Sequence, residues 1–80
     1  MTTYLLIVDF NRETNSDRKK GQKELEDALG ELGYYEALNT ENTYKLETKR
    51  KHIRVRRTLS RALERADDLV FAEAVKIQSI

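Results

Sequence analysis

One apolar run near the start constrains this chain most. Thr3-Tyr4-Leu5-Leu6-Ile7-Val8 shows no polar alternation until it stops at Asp9-Phe10-Asn11. A run of this kind reads as a strand covered on both faces, or one central in its sheet. It carries a carboxylate at its C-terminal end. The other segments must then be arranged around a middle strand.

Asn11 to Asn15 is polar and predicts a loop, with Thr14, Asn15 and Ser16 as alternative helix N-caps. A first helix is expected over 16–32. Leu25, Ala28, Leu29 and Leu32 recur at i, i+3, i+4, i+7 and form one apolar stripe. Gly21 extends the stripe by a turn and predicts close approach to a strand. Gly33 is the expected stop. Segments 34–39 and 43–48 predict a hairpin around Thr40-Glu41-Asn42, with Tyr35, Ala37 and Asn39 alternating with Tyr34, Glu36 and Leu38, and Tyr44 and Leu46 alternating with Thr43, Lys45 and Glu47 in a half-exposed pattern. A second helix is expected over 52–66, since Val55, Leu59, Ala62, Leu63 and Ala66 fall on one stripe. Residues 69–77 predict a last strand, with Val70, Ala72 and Ala74 opposite Leu69, Phe71, Glu73 and Val75.

The order strand, helix, strand, strand, helix, strand implies two right-handed crossovers joined by a hairpin. This is the α+β, ferredoxin-like βαββαβ sandwich. It has a four-stranded antiparallel sheet in the order 4-1-3-2 and both helices on one face. Eighty residues make a single domain, and such a chain buries only about 60–65% of its unfolded surface. One modest core is affordable, a deep enclosed pocket is not, and the open sheet face is a natural place for a second copy. No cysteine is present, which excludes disulfides and thiolate metal sites. No run reaches the ~20 residues of a membrane span. Residues 1–8 lack a basic leader and a cleavage site, so the expected compartment is the cytoplasm.

Charge is balanced overall but not locally. From Lys45 to Arg65 there are nine Lys or Arg against two Glu, an excess of +7 in a chain of net charge +1. The partner of such a segment is a polyanion or an acidic protein surface. Lys49, Arg50 and Lys51 precede the second helix. Arg54, Arg57, Arg61 and Arg65 stand at helical spacing and predict one row along it. Arg18, Lys19, Lys20 and Lys23 crowd the positive end of the first helix's dipole, and Glu24, Glu26, Asp27 and Glu31 follow. That order runs against the macrodipole. Either the cations serve a partner, or they pair with the acids one turn later.

Asp9 is the sharpest single residue. A carboxylate ending a central strand can hold Mg²⁺ or Mn²⁺, hard cations that take oxygen ligands, and Asn11 can add an amide oxygen. The other reading of Asp9 is a cap that accepts local backbone N–H groups. The spacing shows no paired carboxylates within one subunit, no nucleophile–base pair and no glycine-rich phosphate loop. His52 is the one histidine, so a histidine-pair zinc site is excluded, and a surface place near a helix start is expected. Tyr34, Tyr35 and Tyr44 belong either to packing or to base stacking on the open face.

These residues together resemble a family. The apolar strand ending in Asp9-Phe10-Asn11, the helix opened by Asn15-Ser16-Asp17-Arg18-Lys19-Lys20 and closed by Gly33, the Tyr-rich hairpin, the basic helix and the final strand are similar to the small CRISPR-associated spacer-adaptation proteins. The likeness extends to their standalone virulence- and toxin-type relatives. It implies a ferredoxin-like homodimer, in which Asp9 of two subunits would face one another and hold a divalent metal. It also implies phosphate-facing roles for Arg18, Lys19 and Lys20. Members include metal-dependent nucleases and nucleic-acid-binding scaffolds. Spacer-adaptation members carry a further strand after the fourth, so the likeness points to the standalone relatives.

The functional expectation is a small homodimer that binds DNA or RNA through its basic helices, with a metal-dependent nuclease centred on Asp9 as its catalytic version. The alternative is a non-catalytic protein-interaction module, a toxin–antitoxin component, inhibitor or regulator, working through the open sheet face and the basic helix.

Overall fold

The computed structural model describes residues 1–38 and 42–74. Its elements are β1 (Thr2–Asp9), α1 (Asn15–Leu32), β2 (Gly33–Ala37), β3 (Thr43–Thr48), α2 (His52–Ala62) and β4 (Asp68–Glu73). The four strands form one antiparallel sheet in the order β2-β3-β1-β4. This is the ferredoxin-like arrangement, with β1 central. The predicted hairpin turn at Thr40-Glu41 and the end of the last predicted strand, 75–77, lie outside the described residues.

The core is one-sided. Tyr4, Leu6 and Val8 of β1 and Tyr44 and Leu46 of β3 pack on Leu25, Leu29 and Leu32 of α1 and on Val55 and Leu59 of α2. Full burial of each such aliphatic side chain contributes about 1.5–3 kcal/mol. Phe71 and Leu69 of β4, Tyr35 of β2 and Leu63 close the margins. Tyr44 and Tyr35 meet edge to face at 6.4 Å. Burial raises the Tyr44 phenol above its ordinary pKa, and the Tyr4 phenol likewise.

β1 is not covered on both faces, contrary to what its composition suggests. Its burial alternates, and Leu5 and Ile7 are 38% and 58% exposed. Both helices lie on the other side, so the second set of apolar residues is left uncovered. An apolar run cannot distinguish burial on two faces from burial on one with an apolar open face.

Local chemistry explains the boundaries. Thr14 is the N-cap of α1, its hydroxyl accepting the Asp17 N–H at 3.1 Å. The helix passes into β2 without a loop. Gly33 donates its N–H to the Leu29 carbonyl, and a Cβ there would collide with the Glu47 backbone. The buried Thr48 hydroxyl donates to the Leu32 carbonyl at 2.6 Å and accepts the Arg50 N–H at 3.0 Å, tying the end of α1 to the start of α2. α2 ends at Ala62, four residues earlier than its stripe predicts. Leu63 is extended, and the Asp67 carboxylate accepts the Glu64 N–H at 2.9 Å. Gly21 does not receive a strand. It receives the guanidinium of Arg12, which a Cβ would meet at 2.7 Å.

Candidate functional site

The C-terminal end of β1 opens onto a polar cleft of about 720 Å³, whose walls include Asp9, Asn11, Glu13, Arg18, Lys19 and Asn42. Asp9 points to the open sheet face. It is exposed, and its carboxylate accepts no hydrogen bond among the described residues. The capping role is therefore not the one it plays.

The register adds a residue that spacing could not reveal. Asp9 of β1 stands opposite Asp68 of β4. Directly opposed residues of an antiparallel pair share a face, with Cβ atoms about 4.5–5.5 Å apart. Two carboxylates of one subunit thus share the sheet's end, contrary to the expectation of none. Asn11 joins them. Its Nδ2 donates to the Ala66 carbonyl at 2.8 Å and to Asp68 Oδ2 at 3.1 Å, which leaves its Oδ1 as an uncommitted acceptor. The donor set is all oxygen, which suits Mg²⁺ or Mn²⁺. No group of three or more His, Asp or Glu placed to hold a metal exists among the described residues.

Behind the cleft lies an ion pair that no spacing announces. Arg12 and Asp67 have side chains only 4% and 0% exposed. Arg12 donates from Nε to Oδ1 at 3.3 Å and from Nη2 to Oδ2 at 2.7 Å, and from Nη1 to the Asp17 carbonyl at 3.0 Å. Its guanidinium lies 5.6 Å from the centre of the Phe10 ring, and Glu64 adds a contact at 3.6 Å. The hydrogen bond from Arg12 holds the Asp67 carboxyl below its usual range, and the same bond raises Arg12. The pair locks the loop after β1 to the loop before β4, and so fixes where Asp9, Asn11 and Asp68 stand.

The basic residues do not form one surface. Arg18 and Lys19 line the cleft beside Asp9, and Lys20 follows at the start of α1. Lys49 and Arg50 lie beside Gly30 and Glu31 at the far end of α1, with Lys51 next to them at the start of α2. Ten helical residues separate Lys20 from Gly30, about 15 Å at 1.5 Å per residue. Glu24 and Asp27 occupy the interval and Glu31 lies just past it, all three across a groove from Arg54 and Arg61. The row along α2 is real for Arg54, Arg57 and Arg61. Arg65 lies beyond the helix end and leaves it. Arg56, absent from the expected row, joins Arg57 and Arg61 on an outward stripe with Ile53. Among the described residues, none of the candidate phosphate-binding side chains closes an ion pair. Pairing within α1 therefore does not explain its reversed charge order.

The tyrosines divide. Tyr44 is buried and Tyr35 half-buried on the helix side, which leaves Tyr34 alone on the open face. A three-ring stacking platform is not present. His52 is exposed at the first position of α2, as expected, with its ring stacked on Phe71 at 5.4 Å.

No protein-family model matches this chain, and no curated protein matches it.

Proposed function

We propose that this is a small nucleic-acid-binding protein that works in association with a second copy. Arg54, Arg57 and Arg61 along α2, and Arg18, Lys19 and Lys20 beside the cleft, contact phosphates. Lys49, Arg50 and Lys51 extend the α2 surface. One observation carries the reading: these cations are exposed and, among the described residues, uncommitted to any acidic partner. Uncommitted cations in a row release counterions from a phosphate backbone and give binding without sequence preference. The likeness to the spacer-adaptation family and its standalone relatives agrees with this reading.

Asp9, Asp68 and the Asn11 amide oxygen are the proposed holders of Mg²⁺ or Mn²⁺. Mg²⁺ commonly keeps several waters and uses one or two protein carboxylates plus substrate phosphates, so a two-carboxylate set suffices once nucleic acid is present. A cation there would polarise a phosphoryl oxygen and activate water. Catalysis is the secondary part of the proposal.

The test is binding to duplex and single-stranded DNA and RNA across a salt series. If about four phosphates are neutralised, affinity for duplex DNA falls by roughly a hundredfold between 50 and 200 mM salt. No detectable binding at low salt, or binding indifferent to salt, refutes the proposal. For catalysis, wild type and Asp9→Ala are compared with Mg²⁺ and with Mn²⁺. Equal cleavage by both removes Asp9 from the chemistry.

A further inference from the structure

Two exposed surfaces of this domain combine apolar side chains with charge of one predominant sign, and the signs are opposite. The first is the open sheet face. Leu5, Ile7, Val70 and Ala72 form a continuous apolar band across β1 and β4, with Val70 67% exposed. Among the described residues, the same face carries four carboxylates, Asp9, Asp68, Glu36 and Glu47, against one ammonium, Lys45, which pairs with Glu47 at 3.4 Å. The second is the outward stripe of α2. Ile53, 56% exposed, lies in a shallow groove with Arg56, Arg57, Ser60 and Arg61 and, among the described residues, no acid.

The two surfaces lie on different sides of the domain, because α2 covers the opposite face of the sheet. One copy cannot bring them together. We infer that the α2 stripe of one copy docks on the open sheet face of the next, Ile53 against the apolar band and the arginines against the acidic rim. Charge selects this arrangement over the symmetric ones. Sheet face on sheet face would oppose the carboxylates of both copies, and stripe on stripe would oppose the guanidiniums. Like charges brought together across an interface cost several kcal/mol. Only the head-to-tail contact opposes unlike charges and covers apolar surface on both partners.

A head-to-tail contact does not close on itself at two copies, so it extends to a ring or a filament. It is also small. The eleven residues of α2 span about 16 Å, so the buried area falls short of the roughly 800 Å² per partner of a standard stable interface. The association is accordingly weak, concentration-dependent and sensitive to salt. Arg57 and Arg61 belong to both this stripe and the proposed phosphate-contacting row, so nucleic acid and a second copy compete for them, and each association can be measured in the absence of the other.

The test is sedimentation velocity at low salt, with chelator present to exclude divalent cations. Two variants each disable one surface: Arg57→Glu/Arg61→Glu and Asp9→Lys/Glu36→Lys. All four positions are exposed and make no hydrogen bond or ion pair among the described residues, so each variant should keep the fold, which circular dichroism is to check. Wild type should grow past dimer as concentration rises. Each variant alone should stay monomeric. Their equimolar mixture retains one good stripe and one good face, and it should form a 1:1 dimer that grows no further. The inference is overturned if wild type stays monomeric, if Arg57→Glu/Arg61→Glu associates as wild type does, or if the mixture remains monomeric. A wild-type dimer that does not grow further, with its affinity unaltered by the α2 reversal, would identify the symmetric sheet contact instead.

Discussion

Arg12 and the arginines of α2 carry the same side chain in opposite circumstances. Arg12 is buried, lies on a helix face that glycine leaves bare, and spends its donors on Asp67 and the Asp17 carbonyl. Arg54, Arg57 and Arg61 are exposed and hold no partner among the described residues. A cation whose donors are all answered inside the fold is scaffold. A cation left unanswered at the surface is available for binding. The site at the end of β1 uses both kinds, since Arg12 fixes the loops on which the cleft is built.

The largest effect should separate these two populations. Arg12→Ala leaves Asp67 buried without its counter-charge, and should destabilise the fold by about 3–5 kcal/mol. Arg57→Ala should change stability by no more than about 0.5 kcal/mol. Urea denaturation of both variants checks this, and similar midpoints would erase the distinction. Next comes Gly21→Ala. Its Cβ would press on the Arg12 guanidinium at 2.7–2.9 Å, and the displaced ion pair should cost about 1–3 kcal/mol. If Gly21→Ala stabilises instead, as a mid-helix glycine replacement ordinarily does, Arg12 is not seated as described.

The pH dependence gives a smaller effect of defined sign. The folded state holds the Asp67 carboxyl below its ordinary value of 3.8, chiefly through the hydrogen bond from Arg12. Below that value the unfolded chain takes up a proton more readily than the fold does. The stabilisation from Asp67 is thus fully present above about pH 4 and is lost as pH falls through the folded pKa. Wild type should lose this increment on acidification, and Asp67→Asn should lack that part of the slope. Parallel stability curves for the two proteins below pH 4 would remove Asp67 from the account.

The order of elements and the centrality of β1 were legible because stripes such as Leu25, Ala28, Leu29, Leu32 have a period that only one local structure satisfies. What escaped depended on contacts between distant segments. Asp68 becomes a neighbour of Asp9 only through strand register. Arg12 reads as a loop cation until Asp67 is brought against it. Arg65 fits the helical row by spacing, yet the Asp67 carboxylate captures the Glu64 N–H and Leu63 turns extended, so the helix ends before it. The exposure of Leu5 and Ile7 was hidden for a different reason, since an apolar residue carries no mark of which face has a cover. The open face is where the second copy is proposed to bind.

The distinction between answered and unanswered arginines is tested most directly by duplex DNA binding of wild type and of Arg54→Ala/Arg57→Ala/Arg61→Ala across the same salt series. Each phosphate contact removed should lower the steepness of log affinity against log salt by about one. The triple variant should therefore show a slope shallower by about two to three, with its folding stability nearly unchanged. An unaltered slope and affinity would contradict the assignment of these arginines to the binding surface.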